Sequence, residues 1–285
     1  MHRARCSNIV LTLLFVVTSS RCQSLLPESP ISSAVAGANI ASEVREGFSS
    51  NPALNRSDSV HQLSVGFGYT PFAGGLSGAN SASAEASFFA EALRSSFTVG
   101  LTEYSFEDIY SDISFGLGST TEFQVDSDRN AYGGFRIRHE IVGTTAAYPK
   151  LQFDFLDLGL TFDLTKDATL GIAALNLLGA HYIVASGTTE RLPRLFLLGA
   201  SYHPIQFPLR FYTAIEETSG SELVMKLGAE YLPISFLTIR LGTTTDTGNI
   251  TSGIGLNYGN YSVAVSSRYD KALGVLFSFG VFGRW

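Results

Sequence analysis

Read two residues at a time, the stretch Leu273 to Trp285 places Leu273, Val275, Phe277, Phe279, Val281 and Trp285 on one face. Gly274, Ser278, Gly280 and Arg284 fall on the other, with Leu276 and Phe282 as apolar exceptions there. A period of two is the mark of a β-strand. The same alternation opens at residue 61, where Leu63, Val65, Phe67 and Tyr69 stand against Gln62, Ser64, Gly66 and Gly68. It returns in Phe97, Val99 and Leu101, in Phe135, Ile137 and Ile141, in Leu156 to Leu164, in Leu223, Met225, Leu227 and Tyr231, and in Leu237, Ile239 and Leu241.

Turn residues separate these runs, among them Lys166-Asp167, His203-Pro204, Ser219-Gly220 and Gly259-Asn260. The pattern predicts fourteen strands, near 61–70, 81–90, 95–106, 111–119, 130–142, 151–165, 168–178, 191–203, 207–217, 222–232, 235–245, 250–259, 261–269 and 273–285. A tilted membrane strand of ~10 residues with ~5 of connection gives about the same number over this length. The fourth segment has the weakest pattern. Losing it would force an odd number, so twelve is the fallback. The expected fold is all-β, a transmembrane antiparallel β-barrel over residues 61–285.

Residues 23–60 lack the alternation. Ala34, Val35, Ala36, Ala38, Ile40, Ala41 and Val44 are mixed with Gly37, Asn39, Ser42 and Glu43, which suits a short helix or packed coil. Such a segment would enter the barrel as a plug or cap its end. Ahead of it, His2, Arg3 and Arg5, an apolar run from Ile9 to Val17, and a polar exit read as a signal peptide over residues 1–22. Cleavage after Cys22 removes both cysteines, leaving no disulfide or thiolate metal site. Acylation of Cys22 is the competing reading, and Arg21 before it argues against that.

Composition strengthens the membrane reading. Only 15% of the 285 residues are charged and 45% are hydrophobic, with a mean hydropathy of +0.18; a soluble domain carries about 25% charge. The 28 glycines, 21 phenylalanines and 12 tyrosines suit barrel bends and interfacial girdles. A net charge of −6 gives no footprint for nucleic acid. A soluble sandwich or propeller is the alternative, because it too would alternate.

In a barrel the polar faces line the lumen. The candidate lumen charges are Arg136, Arg138, Glu140, Asp157, Asp163, Arg210, Glu216, Glu222, Lys226, Glu230 and Arg240. They select a solute, or pair across strands and fill the interior. A hairpin with loop Ile234, Ser235 and Phe236 sets Pro233 opposite Leu237 and Glu230 opposite Arg240, predicting an ion pair. Asn51, Pro52 and Ala53 form a plug or turn motif ahead of the first strand, either a gate or a fixed turn.

No hydrolase, metalloprotease or phosphate-loop motif is present, so no enzyme and no cofactor is expected. His139 and Glu140, adjacent on a strand, point to opposite faces and cannot act together. Asp126, Asp128 and Asn130 have the opening spacing of a calcium loop. Ala131 and Ile137 hold the positions that loop gives to glycine and glutamate, so this reads as a solvated turn.

Asn51-Pro52-Ala53-Leu54, Leu170-Gly171-Ile172-Ala173-Ala174-Leu175-Asn176-Leu177-Leu178-Gly179, Leu192-Pro193-Arg194 and Leu198-Gly199-Ala200-Ser201-Tyr202 resemble the PorV/PorQ family. Leu227-Gly228-Ala229-Glu230-Tyr231, Arg240-Leu241-Gly242 and Thr251-Ser252-Gly253-Ile254-Gly255-Leu256 do so as well. The resemblance implies a 14-stranded barrel of the FadL superfamily in the bacterial outer membrane. It also implies a role beside the type IX secretion system, binding or handing over cargo, for which Pro71 to Gly78 would offer an exposed surface. FadL-like uptake of hydrophobic small molecules is the alternative, and a structural barrel with a filled lumen is a third reading. The final strand, through Phe277, Phe279 and Trp285, resembles the signal read by the barrel assembly machinery. Expected partners are outer-membrane lipid, that machinery, and secretion components, cargo or an apolar solute.

Overall fold

The computed structural model describes residues 29–42, 51–54, 61–70, 78–106, 110–127, 129–144, 150–183, 189–246, 249–270 and 274–285. The signal peptide expected over 1–22 and the loop surface expected over 71–78, save its last residue, lie outside them. Seven strands come first: β1 (Gln62–Thr70), β2 (Ala79–Ala90), β3 (Ser95–Phe106), β4 (Tyr110–Gln124), β5 (Asn130–Thr144), β6 (Leu151–Thr165) and β7 (Ala168–Leu175). A separate hairpin follows, of β8 (His181–Ile183) and β9 (Thr189–Arg191). The chain then returns through β10 (Leu195–Tyr202), β11 (Leu209–Thr218), β12 (Val224–Ile234), β13 (Leu237–Thr244), β14 (Ile250–Tyr258), β15 (Tyr261–Asp270) and β16 (Gly274–Arg284).

Fourteen of these strands, all but β8 and β9, form one closed antiparallel barrel. β1 pairs with β2 on one side and with β16 on the other. The seam holds to the last residue: His61 N–H donates to Trp285 O at 3.0 Å and Trp285 N–H to His61 O at 3.1 Å. A closed ladder satisfies every strand's backbone groups internally, as a hydrocarbon surrounding requires.

The outer face is apolar and bare. Leu63, Val65, Phe67 and Tyr69 are exposed, as are Phe277, Phe279 and Val281 beside them in register. Ser64 and Gly68, one residue along, face inward and are buried. Two-residue turns at 166–167, 235–236 and 259–260 lie at the end of the barrel where His61 meets Trp285. The connection 176–194, which carries β8 and β9, lies at the far end. Short turns mark the periplasmic end of such barrels and long loops the extracellular end, so the end that carries the His61–Trp285 seam is the periplasmic one. The far ends of β5 and β6 carry His139, Gln152 and Asp154 on the outer face, so the apolar band stops below them.

Several expectations need correction. The weakest predicted strand is among the longest, β4 running from Tyr110 to Gln124. Segment 168–178 ends at Leu175, because Asn176 turns left-handed at φ 55° and the chain leaves the wall, and segment 191–203 rejoins the wall only at Leu195. The turn between β12 and β13 has two residues, with Ile234 opposite Leu237 and a bulge after Tyr231. Pro233 has no N–H to give a ladder and is tolerated in that bulge. Glu222 is not a lumen charge: it lies in the connection before β12 and is exposed. The inward exception Phe282 packs on Ile31 and Ala264.

Candidate functional site

Inside the wall lies the described part of the N-terminal segment. Its one helix, α1 (Pro30–Ala34), begins where Ser29 Oγ accepts from Ser32 N–H at 3.1 Å and Pro30 takes the first turn. The helix stops at Ala36 and Gly37, both at positive φ. A second described piece, Asn51–Leu54, is a single 3₁₀ turn beginning at Pro52. Asn51, fully buried, joins the two pieces: its Nδ2 donates to Ile40 O at 2.7 Å and its Oδ1 accepts from Ala53 N–H at 3.0 Å.

The wall receives this segment on glycine. A Cβ added at Gly280 would stand 2.7 Å from Pro30 Cγ, at Gly253 2.5 Å from Ala34 Cβ, and at Gly228 2.7 Å from Val35 Cβ. At Gly134 it would stand 2.6 Å from the Pro52 carbonyl carbon. Gly242 meets Val35, Gly171 and Gly199 meet Ile40, and Gly159 meets Asn51 in the same way. Only residues without a side chain permit such approach. The wall also donates hydrogen bonds: Thr251 Oγ1 to Ala34 O at 2.9 Å, Ser201 Oγ to Ala41 O at 2.8 Å, and Thr120 Oγ1 to Pro52 O at 2.8 Å. These satisfy plug carbonyls that a buried coil would otherwise leave orphaned. Ile40 fills an apolar patch of Ala173, Leu175, Leu195, Leu197 and Ala214, and Val35 and Ala38 pack on Tyr212. This explains the repeated Leu-Gly pairs. In Leu170-Gly171, Leu198-Gly199, Leu227-Gly228 and Leu241-Gly242, the leucine meets lipid and the glycine meets the plug.

The inward charges form two sets. On β5 and β6, Asp157 is fully buried; Arg136 Nε and Arg138 Nε each donate to its Oδ2 at 3.0 Å. Its Oδ1 accepts from Asn176 N–H at 3.0 Å. Asn176 in turn organises the far loop, donating from Nδ2 to Leu192 O and Pro193 O and accepting from Ala180 N–H. Arg138 also lies 3.5 Å from Glu140. Two further acids are buried in this inner layer and escaped the sequence reading, Asp112 on β4 and Glu85 on β2. On β11 to β13, Lys226 Nζ donates to Glu216 at 2.8 Å. Glu230 faces Arg240 in register and accepts from its Nε at 2.7 Å, with Arg210 at 3.4 Å. Asp163 sits near the β6 bulge and accepts from Thr169 Oγ1 at 3.0 Å.

Above the first charge layer the far mouth is aromatic. Val142, Phe153 and Phe155 form an apolar cluster with Tyr110, Leu151, and Ala180 and Leu192 of the loop. Tyr104 meets Tyr110 edge-on at 5.9 Å, and the Arg138 guanidinium lies over the Phe155 ring at 4.5 Å. Below the layer a small, partly open pocket lies beside Pro52. Thr98, Gly116, Gly118, Thr120 and Arg136 bound it, and it reaches Ser119 and Phe135 of the wall.

Elsewhere, His139 points outward, 2.9 Å from Asp154, while Glu140 points inward. Asp126 is held by Arg129, whose Nε donates at 2.6 Å, in an exposed turn. Trp285 lies beside His61 at the seam, and Phe277 and Phe279 face lipid.

No family model and no curated protein sequence matches the chain. Solved structures do match. The Pseudomonas putida toluene transporter TodX aligns at 10% identity and a TM-score of 0.60, over 90% of this chain and 96% of that one. A Pseudomonas aeruginosa FadL homologue aligns at 13% identity and a TM-score of 0.60, over 90% and 98%. The Acinetobacter baumannii outer membrane protein Omp33 aligns at 9% identity and a TM-score of 0.52, over 80% and 100%. The chain has the fold of the FadL-like outer-membrane β-barrels.

Proposed function

We propose that this barrel passes small apolar molecules across the outer membrane. The observation that carries the reading is the aromatic far mouth, Tyr104, Tyr110, Phe153 and Phe155 with Val142, set above the pocket beside Pro52. Aromatic and aliphatic surface at the entrance gives an apolar solute a place to leave water. The Asn51–Leu54 turn stands beside the pocket, held to the wall by Thr120, Gly134 and Gly159, so its displacement is the step that opens the way. The likeness to a toluene transporter and a FadL homologue in fold agrees with this reading.

The test is uptake of labelled toluene by cells with a lipopolysaccharide outer membrane, their own apolar-solute barrels deleted, with and without this protein. Uptake rises with the protein. Replacing Phe153 and Phe155 together by alanine lowers it on the order of tenfold. Equal uptake with and without the barrel refutes the reading.

A second reading, an accessory of type IX secretion in the PorV/PorQ manner, rests on the sequence resemblance. The Leu-Gly pairs and Asn51-Pro52-Ala53 that carry much of it serve plug packing, which either role requires. Co-purification from outer membranes in mild detergent separates the two. Recovery of secretion components or a secreted cargo favours the accessory role; their absence beside a bound apolar ligand favours transport.

A further inference from the structure

Resting on the transport reading above, we infer that the 176–194 connection is a lid on the aromatic mouth, clipped shut by the Asn176 side chain. Phe153 and Phe155 are 6% exposed and Val142 9%. A solute leaving water cannot reach them until their cover moves. Of the partly buried residues packed on this cluster, Tyr110 and Leu151 sit in the barrel ladder, opposite Thr144 and Val142. Ala180 and Leu192 do not. They belong to the connection between β7 and β10, so they can withdraw without breaking a rung of the wall.

The connection is built to swing as a unit. Strands paired side by side, as β7 and β10 are, need only about 2–5 residues between them; here the chain leaves after Leu175 and returns at Leu195. Its limbs pair with each other as β8 and β9, and Leu192 N–H continues that pairing to Ala180 O at 2.8 Å. The base turns left-handed twice, at Asn176 with φ 55° and at Gly179 with φ 63°. One side chain there holds both limbs. Asn176 Nδ2 donates to Leu192 O and Pro193 O, each at 3.0 Å, and its Oδ1 accepts from Ala180 N–H at 3.2 Å. Beside the hinge the wall is cut away: β6 runs on from Leu158, its last pairing with β7, to Leu151. Among the described residues one backbone bond ties that edge to the connection, Leu177 N–H to Leu156 O at 2.9 Å. A two-stranded hairpin is marginal alone, so its closed position depends on the clip and on the contacts of Ala180 and Leu192.

The experiment pairs Leu192→Cys with Val142→Cys, or with Phe153→Cys, and bridges each pair with a short, reducible bifunctional thiol reagent. Labelled toluene uptake is followed in the cells described above. Bridging lowers uptake on the order of tenfold below the same variant unbridged, and reduction restores it. Leu192→Cys alone, treated alike, shows no change. Asn176→Gly keeps the left-handed turn and the bond to Asp157 but removes the clip. It raises uptake roughly tenfold, as the loss of three hydrogen bonds predicts, and speeds proteolysis of the connection. Heat-dependent mobility on a denaturing gel confirms that each variant is a folded barrel. A bridged barrel that passes toluene as freely as the unbridged one overturns the lid and leaves the transport reading standing. Folded barrels in which neither pair bridges overturn it too, because the hairpin then does not rest on the mouth. Unchanged uptake and proteolysis in Asn176→Gly overturn the clip. Absence of uptake through the wild-type barrel overturns the transport reading itself, and the inference with it.

Discussion

Replacing Asp157 by leucine is expected to be the most damaging single substitution in the barrel. The carboxylate accepts from Arg136, Arg138 and the Asn176 backbone, and it has no exposure. Its removal leaves two guanidiniums together in the interior, with Glu140 and Glu85 as their remaining counter-charges. Breaking a buried pair from one side costs about 3–5 kcal/mol, because the surviving charge stays desolvated. Here the far loop suffers as well: without Asp157 the left-handed turn at Asn176 loses one of its anchors. A urea titration of the barrel in micelles, with limited proteolysis of the 176–194 connection, reads both effects. Asp157→Asn, which keeps the acceptor for Asn176 but not the charge, is expected to fall between wild type and leucine. If the leucine variant unfolds at the wild-type urea concentration with its loop equally protected, the account of this layer is wrong.

The second large effect is expected from the glycine belt. A side chain at Gly242 must displace the Val35 carbonyl carbon and Ala36 nitrogen, which are backbone and cannot rotate away. Overpacking of this kind costs about 1–3 kcal/mol per site. The plug absorbs it, because the wall is fixed by ladders on both sides. Gly228→Val with Gly242→Val is therefore expected to leave the barrel closed and shift the plug. Ion conductance in planar bilayers rises, and the plug becomes open to protease. Gly283→Ala, on the outer face with only the Tyr261 ring at 3.5 Å, serves as the control and changes neither. An unchanged conductance in the double variant would show that these glycines do not define the plug's seat.

Much of the wall was legible from the residues because lipid on one side and a polar lumen on the other enforce a strict period of two. Strand number and the facing of Glu230 and Arg240 follow from that period. What failed did so where the contrast between faces vanishes. On β2 the lipid face is Ala82, Ala84 and Ala86, too small to mark Glu85 on its reverse. Asp112 lies where β4 alternates apolar residues with serine and glycine. Glu222 was assigned to the lumen by carrying the period past the end of its strand. The glycine belt was visible as glycine but not as a track, since its purpose depends on a segment distant in sequence. The aromatic mouth was hidden among many phenylalanines, only a few of which turn inward.

The pairing of β1 with β16 bears on how the molecule is made. Two strands from opposite ends of the barrel sequence must find each other, and until they do each is an open sheet edge, a ready template for another chain. Every other contact in the wall joins neighbours in the order of synthesis, apart from the detour through β8 and β9. The final closure therefore bears nearly the whole entropy of joining distant points, and it is the slow, exposed stage of folding. Protection from aggregation is needed longest at those two strands, and damage to the last dozen residues would leave a nearly complete sheet that cannot close.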